Sequence, residues 1–388
     1  MNERPGIRVP IGLRLPFDPL LALATAGLVA ASLVTLHAST RNDFPGDPNY
    51  YVTRQGVFSA IGVILAIVLS RVDYSRLREL KYGVYGLMMF ALLAVTVFGG
   101  NTRGSRRAIQ TPFFEIQASE LGKVLLAVAL AAFVVDRARR LGERDTTARI
   151  VLVAMVPATV VMAGDLGSGL VYIAVLFAVL FIAGIGWRHF AGLIALGAVS
   201  IALVLAAAPA LGVTVLHGYQ AERLTSFLYP SDVAGTVGYQ QNQSRIAIGS
   251  GQKTGRGDLA TQGPLNFLPE ERTDFIFAVV GERWGFAGAA LVLSLYALLI
   301  WRGLRILTVA KNLYGALIAG GIVAMLLFQV FINVGMNVGI MPITGIPLPL
   351  FSYGGSSVIA TLLAIGLLQS IYAQGRVAAG TKGRGLSF

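Results

Sequence analysis

Runs of about twenty apolar residues constrain this chain more than any other feature of its sequence. As a helix, a run of that length spans the hydrocarbon core of a bilayer. Ten such runs lie at about 19–38, 56–72, 82–100, 118–136, 149–164, 168–186, 190–212, 275–301, 313–336 and 353–373. Only 13% of the residues are charged, whereas about 25% are charged in a soluble domain. The sequence therefore predicts an all-α integral membrane protein with about ten transmembrane helices, forming a single domain over residues 1–388.

The distribution of basic residues predicts the orientation of these helices. With the N-terminus in the cytoplasm, the inner segments carry 19 of the 31 lysines and arginines and the outer segments carry ten. Inner loops of membrane proteins are enriched in Lys and Arg, so both termini are expected to be cytoplasmic. One large extracytoplasmic loop, about residues 213–274, then lies between helices 7 and 8. The net charge of +12 therefore indicates topology, and we expect no binding of nucleic acid.

Several common functional classes lack their signature here. The chain has no cysteine, which excludes disulfides and thiolate metal sites. Its three histidines are too far apart for zinc spacing. The segment "GSGQKTGRG" (249–257) resembles a phosphate-binding loop, but Gln252 stands where glycine must precede the lysine. We expect its glycines to permit turns instead.

An arginine cluster breaks the charge rule in a short outer loop. Arg106 and Arg107, with Arg103, lie in "GGNTRGSRRAIQ", where the positive-inside rule predicts few basic residues. Guanidinium groups match phosphate oxygens in a bidentate way, so a pyrophosphate is a natural ligand. Anionic lipid headgroups or internal carboxylates are the alternative partners.

Three further ionisable side chains lie near the outer ends of predicted helices. Glu120 and Lys123 are i, i+3 on one helical face, in the favourable order. Ionisable groups at membrane depth are candidates for function, although a mutual ion pair that fixes helix packing would also explain them. Asp165, in "AGDLGSG", is either a functional carboxylate or the cap of the next helix.

The stretch "FLPEERTDFIFAVVGERWG" (267–285) crowds charges at the start of the eighth apolar run. Asp274 is the last polar residue before that run, so it either caps the helix or acts as a base. Partial desolvation raises a carboxylate pKa and nearby arginines lower it, which leaves the sign open. Asn333, Asn337, Thr344 and Ser352 lie at or near membrane depth between the last two runs, and we expect them to line a polar cavity that opens outward.

Five segments resemble one protein family along nearly the whole chain. They are "GSRRAI…IQASELGK", "GDLGSG", "YQQNQSRIAIGSG", "FLPEERTDFIFAVVGE" and "TGIPLPLFSYGGSS". Together they resemble the SEDS family (shape, elongation, division and sporulation), the bacterial peptidoglycan glycosyltransferases of the RodA and FtsW type. The details "GRGDLATQGPLNFLPE" and "IAGIGWR" favour the RodA type.

The resemblance implies an activity at the outer face of the bacterial cytoplasmic membrane. Such proteins polymerise lipid II, an undecaprenyl-pyrophosphate disaccharide-pentapeptide, into glycan strands. The residues that match the family's functional positions are the essential aspartate Asp274, Glu270 of its L-P-E motif, Glu120 and Lys123, Asp165, and approximately Arg106 and Arg107. The resemblance also implies a class B penicillin-binding protein as partner, within membrane lipid. A divalent cation, Mg²⁺ or Mn²⁺, could assist the pyrophosphate, although the sequence has no legible metal-ligand cluster.

The chain departs from the family pattern at four positions. Arg272 replaces a histidine, Ala118 a proline, Ala108 a tryptophan and Arg283 an acid. None of the four removes a residue of the implied chemistry, but the fixed charge of Arg272 could lower the pKa of Asp274.

Two other functional classes remain open from the residues alone. A lipid II flippase would also have ten spans, intramembrane charges and a polar cavity, although no repeat of "IPLPLFSYGG" is visible in the first half. A non-catalytic scaffold for the penicillin-binding protein would not need Asp274, Glu120 and the outer arginines together. A related lipid-linked sugar transferase, such as an O-antigen ligase, would lack these motifs.

Overall fold

In its described residues, the protein is a helical bundle with one small sheet. The structure is a computed structural model that describes residues 17–41, 47–102, 105–110, 115–202, 237–260 and 271–384. In these ranges the helices are α1 (Pro19–Ser39), α2 (Tyr50–Arg71), α3 (Lys81–Phe98), α4 (Ala118–Asp136), α5 (Arg144–Gly164), α6 (Leu166–Ile182), α7 (Trp187–Ala202), α8 (Val237–Ser250), α9 (Ile276–Val309), α10 (Leu313–Val338) and α11 (Gly355–Arg384).

The helices confirm the predicted all-α membrane architecture. Eight of those described are long and apolar enough to cross a membrane, and α6 is a shorter apolar helix. Every predicted apolar run coincides with a helix in the described residues, and the run at 190–212 continues past α7 into residues outside them. The remaining helix, α8, lies in the predicted extracytoplasmic loop.

Several helices extend beyond the apolar runs that predicted them. Helix α2 begins at Tyr50 and α9 ends at Val309, each several residues outside its run. Hydropathy detects only the part of a helix that lies in hydrocarbon, whereas the backbone ladder continues into the polar interface. At 34 residues, α9 is longer than the roughly 20 residues that span the hydrocarbon core.

A three-stranded sheet occupies part of the segment that we predicted as a loop between α3 and α4. Strands β1 (Gly100–Thr102), β2 (Ser105–Gln110) and β3 (Glu115–Ile116) pair in antiparallel order. Strands of two to six residues are too short to give a clear alternating pattern, which is why the sequence did not reveal them.

The centre of the bundle is formed by α4, α6 and α10, which meet through small residues. A Cβ placed on Gly321 of α10 would lie 3.1 Å from the Cβ of Ala127 on α4. A Cβ on Gly122 of α4 would lie 2.1 Å from the hydroxyl of Tyr172, which donates to Ser119 O at 3.1 Å. Close backbone approach of this kind supplies van der Waals contact where lipid provides no hydrophobic driving force.

A buried ion pair ties three helices together at the end of the bundle that the charge asymmetry assigns to the cytoplasm. The Asp18 side chain is fully buried and accepts hydrogen bonds from the Leu20 and Leu21 amides, capping α1. It also accepts from Arg302 Nε of α9 at 2.9 Å. The side chain of Gln369 of α11 bonds twice to the main chain of Asp18. Its Oε1 accepts from Asp18 N at 2.6 Å, and its Nε2 donates to Asp18 O at 3.0 Å. Every polar atom named here therefore has a partner.

At the opposite end, helix α9 is broken within its third turn. Gly285 has φ of 62° and ψ of −156°, which is not helical, so the next amides lose their usual acceptors. Phe286 N donates instead to Gln252 O at 2.8 Å, and Ala287 N donates to Lys253 O at 3.1 Å. The glycine-rich segment 249–257 thus supplies the carbonyl acceptors for the first amides of α9 after the break.

The glycines of that segment permit this approach. A Cβ at Gly255, where φ is +86°, would lie 2.2 Å from Arg283 O, and a Cβ at Gly251 would lie 1.9 Å from Gly281 O. The main chain of this segment and that of α9 are so close that a side chain at either glycine would separate them. Close packing therefore explains why the segment is rich in glycine and resembles a phosphate-binding loop.

We expect Gly255→Ala to destabilise the protein, because the left-handed conformation costs an L-residue about 1–2 kcal/mol and the new Cβ also clashes with Arg283 O. The matched control is Gly249→Ala, since a Cβ there meets nothing within 4 Å. Thermal unfolding of the purified protein in detergent measures both. Equal melting temperatures for the two variants would contradict the packing role of this segment.

Candidate functional site

The main chain of the segment carrying Asp274 is held by groups from distant parts of the chain. Asp274 O accepts hydrogen bonds from Asn333 Nδ2 and Asn337 Nδ2 of α10, both at 3.1 Å. Thr273 O accepts from Ser352 Oγ at 2.5 Å. The Asp274 side chain itself is partly buried, as a carboxylate at the mouth of a membrane helix should be.

Helix α10 supplies an acceptor to the first turn of α9. The N-cap residue is Phe275, which makes no capping bond with its side chain. The amide of Ala278, in the first turn, donates to Asn337 Oδ1 at 3.1 Å. Asn337 therefore satisfies one of the amides that the start of a helix leaves without an intrahelical acceptor.

Helix α2 braces the same segment from the other side. Gln55, which is buried, donates to Ser352 O at 3.1 Å and accepts from Gly354 N at 3.3 Å. Tyr353 N donates to Arg272 O at 2.8 Å. These bonds fix the turn between α10 and α11 against the residues that precede Asp274.

Aromatic contacts hold Arg272, the residue that replaces the family's histidine. Its guanidinium carbon lies 4.2 Å from the centre of the Tyr51 ring, and Tyr51 meets the Tyr353 ring edge-on at 5.1 Å. A guanidinium so placed is stabilised by the ring's quadrupole. Burial raises the pKa of the Tyr353 hydroxyl, while Arg54, which hydrogen bonds to it, opposes that rise. Tyr353 is accordingly neutral at physiological pH.

Glu120 and Lys123 form an ion pair inside the bundle. Lys123 Nζ lies 2.7 Å from Glu120 Oε1, and the two side chains are 1% and 2% exposed. Such a pair is tolerated at this depth because each charge satisfies the other. Contact with a substrate would require the pair to open.

Asp165 caps helix α6, as one of the two readings of the sequence expected. It accepts from Ser168 N at 3.2 Å and from Ser168 Oγ at 2.9 Å, and its side chain is buried. It also lines a pocket with Ala118 and Ser119 of α4. The cap therefore lies beside the first turn of the helix that carries Glu120.

Further contacts bring these groups to one end of the bundle, which we call the site end. Ser356 at the start of α11 accepts from Gln117 N at 3.0 Å and donates to Glu115 O at 2.6 Å. A Cβ on Gly167 of α6 would lie 2.7 Å from Thr344 O. The first turns of α4, α6, α9 and α11 consequently share the site end with Asp274.

The other predicted site residues are only partly described. Arg106 and Arg107 belong to β2, and Arg106 pairs with Asn101 of β1, but their side chains lie outside the described part of the structure. Glu270 lies outside the described residues altogether. The roles of these three residues stay predictions.

The polar residues at the end of α10 and in the turn that follows it are buried in protein, and the prediction that they line an outward cavity is wrong for them. Asn333, Asn337 and Ser352 are at most 1% exposed and Thr344 is 8% exposed. The three most buried bond to main-chain groups, because irregular backbone at this depth needs internal partners.

Among the described residues, no group of three or more His, Asp or Glu side chains could hold a metal ion.

Gln55, Tyr51 and Tyr353 belong to this end of the bundle but were missed from sequence. The available signal was a pair of consecutive polar residues, Arg54 and Gln55, directly before an apolar run. The partners of Gln55 lie almost 300 residues away in the chain, so no local pattern could assign them.

Comparison with known proteins identifies the family. The model of the FtsW, RodA and SpoVE family, described as cell cycle proteins, matches residues 15–377. The chain is 34% identical to peptidoglycan glycosyltransferase MrdB of Escherichia coli (strain K12), over 92% of this chain and 94% of that protein.

Solved structures agree with this match. One is a protein from a peptidoglycan synthase complex that coordinates polymerization and crosslinking, with a TM-score of 0.76, 30% identity, and coverage of 93% of this chain and 99% of that one. Another is the crystal structure of the rod shape determining protein RodA of Thermus thermophilus, with a TM-score of 0.66, 28% identity, and coverage of 92% and 97%.

The helical bundle thus defines a polytopic membrane protein, with the partly buried Asp274 at its site end. The chain belongs to the FtsW, RodA and SpoVE family. It is a multi-pass protein of the bacterial cytoplasmic membrane.

We expect Lys123→Met to lower the free energy of unfolding by about 3–5 kcal/mol, because it leaves the buried Glu120 carboxylate without its cation. The double variant E120Q/K123M should recover most of that loss. The control is Arg149→Met, which breaks an exposed pair with Asp145 at 2.8 Å worth at most about 0.5 kcal/mol. Thermal unfolding in detergent ranks the three variants, and a Lys123→Met protein as stable as Arg149→Met would rule out a structural role for the pair.

Proposed function

We infer that this protein is a peptidoglycan glycosyltransferase that polymerises lipid II into β-1,4 glycan strands. The reaction takes place at the outer face of the cytoplasmic membrane, during cell elongation. Family membership supports the class of reaction. The observation that carries the assignment is the half-buried Asp274, with its main chain clamped at the site end.

Asp274 acts as the general base. It accepts the proton of the acceptor's GlcNAc 4-hydroxyl while that oxygen attacks the anomeric carbon of the donor sugar. The bond from that carbon to the pyrophosphate oxygen breaks, and undecaprenyl pyrophosphate leaves with the electron pair. Direct displacement inverts an α-linked donor to a β-linked product. General base catalysis of this kind contributes about 10²- to 10⁴-fold.

The leaving group needs positive charge but no proton. A pyrophosphate is already a good leaving group, so the acid required in glycosidases is unnecessary. Arg106 and Arg107 of β2 meet the developing negative charge. Lys123 adds to this only when its 2.7 Å contact with Glu120 opens. In the closed pair, Glu120 and Lys123 neutralise each other within α4.

Two other carboxylates complete the proposed substrate site. Asp165 lines the pocket beside Ser119, where its cap of α6 gives it a fixed position. Glu270, four residues before Asp274 in the sequence, is assigned to substrate binding because it matches the acid of the family's L-P-E motif. A class B penicillin-binding protein acts as the partner, as the structural similarity to a component of a peptidoglycan synthase complex suggests.

We expect Asp274→Asn to lose at least about 10²-fold in polymerisation rate while remaining folded, because the amide cannot accept the hydroxyl proton. Purified wild type and variant are given lipid II, with and without a class B penicillin-binding protein, and glycan strands are read on a gel. The control is Asp258→Asn, a fully exposed aspartate that pairs with Arg283 and should leave the rate unchanged.

The outcomes separate the rival functions. Strands from Asp274→Asn at the wild-type rate would keep the enzyme and remove Asp274 as its base. If the wild type makes no strands even with the partner, the transferase function is rejected. Transbilayer movement of lipid II in vesicles would then distinguish a flippase from a scaffold.

A further inference from the structure

Two asparagines on one face of α10 contact the main chain of the proposed base, Asp274. Asn333 and Asn337 are one helical turn apart, which places them on the same face. Both side chains are fully buried. Burying two primary amides is costly unless their hydrogen bonds are made, so the partners they contact are informative.

Asn333 connects the Asp274 segment with the turn between α10 and α11. Its Nδ2 group donates to Asp274 O at 3.1 Å and to Ile346 O at 2.8 Å. Since an amide nitrogen has two hydrogens, both donors are used. Asn333 thus holds two irregular segments at a fixed separation.

Asn337 grips α9 on both sides of its first residue. Its Nδ2 donates to Asp274 O at 3.1 Å and to Asn333 O at 2.8 Å, and its Oδ1 accepts from Ala278 N at 3.1 Å. Ser244 of α8 in turn donates to Asn337 O at 2.9 Å. One side chain therefore sets the position of Asp274 relative to the start of the helix that follows it.

These contacts are with the main chain of Asp274, so they use neither oxygen of its carboxylate. A base must be directed towards the hydroxyl it deprotonates. A clamp on the carbonyl oxygen fixes that direction through the main chain. Misplacement of a reacting group by about 1 Å can cost about 10²-fold in rate.

We propose that Asn333 and Asn337 are positioning residues for the transfer reaction, fixing the direction of the Asp274 carboxylate by holding its carbonyl oxygen. This inference rests on the proposed function. The two asparagines do not touch the substrate. Their loss should therefore lower kcat and leave KM for lipid II nearly unchanged.

The same helix offers a matched control for a purely structural role. Gln329 lies one turn before Asn333 and is 1% exposed. Its Oε1 is buried without a hydrogen-bond partner among the described residues. Replacing it removes an equally buried amide from the same helix without touching residues 272–274.

The experiment compares Asn333→Ala, Asn337→Ala, Asn337→Asp and Gln329→Ala with wild type and Asp274→Ala. Asn337→Asp keeps an acceptor for Ala278 N but loses the donor to Asp274 O, so it tests the clamp while retaining the helix cap. Thermal unfolding in detergent reports the fold. Initial rates at several lipid II concentrations, normalised to folded protein, give kcat and KM.

We expect the three asparagine variants to lose about 10- to 100-fold in kcat, with KM within about twofold of wild type and Gln329→Ala within about twofold in both. A kcat of Asn337→Asp equal to that of Gln329→Ala would overturn the proposal, even if both alanine variants fail to fold. A rise in KM at unchanged kcat would overturn it too, by assigning the asparagines to substrate binding.

Failure of the proposed function gives a different pattern. A wild type that makes no polymer rejects the transferase, and the positioning role with it. An active wild type with an inactive Asp274→Ala and fully active asparagine variants rejects positioning alone.

Discussion

Every backbone polar group at membrane depth must find a partner within the protein, because lipid offers none. Regular helices meet this constraint by themselves, but the turn between α10 and α11, residues 339–354, does not. Its carbonyls accept from side chains of four helices: Ser32 to Phe351 O at 2.6 Å, Gln55 to Ser352 O at 3.1 Å, Tyr296 to Pro349 O at 2.5 Å and Asn333 to Ile346 O at 2.8 Å. The bundle is thereby fastened around this turn, and the Asp274 segment is fastened to the turn.

The same constraint explains the positions of several buried polar side chains. Asn333 and Asn337 bond to the main chain beside the candidate base. Asp18 caps one helix and pairs with Arg302 of another at the opposite end. Glu120 and Lys123 neutralise each other in α4. Each group would be costly alone at this depth, and each sits where irregular backbone or a helix end requires a partner. Asn337 thus connects α10 with α9, and Asp18 connects α1 with α9.

The four residues that depart from the family pattern are accommodated in the bundle by local contacts or by burial. Arg272 lies over the Tyr51 ring, which gives its charge a local partner. Ala118 begins α4 without the proline that usually starts that helix, and the preceding amide of Gln117 bonds to Ser356. Arg283 reaches Ala38 O at 2.6 Å and the Asp258 carboxylate at 2.8 Å, so it joins the end of α1 to the segment after α8. Ala108 is buried in β2.

The sequence by itself determined the membrane class, the positions of the apolar helices and the segment that carries Asp274. Apolar length is a local property, and hydrogen bonding within a helix needs no other part of the chain. The cap at Asp165 was likewise readable because its partner is three residues away. Only the tertiary structure decided that Asn333, Asn337 and Ser352 are buried and bond to the main chain of distant segments. It also decided that Gln55 belongs to the site end, and that the glycines at 251 and 255 pack against α9 where that helix is broken. Their partners lie from about 30 to almost 300 residues away, and only folding brings such groups within the range of a hydrogen bond.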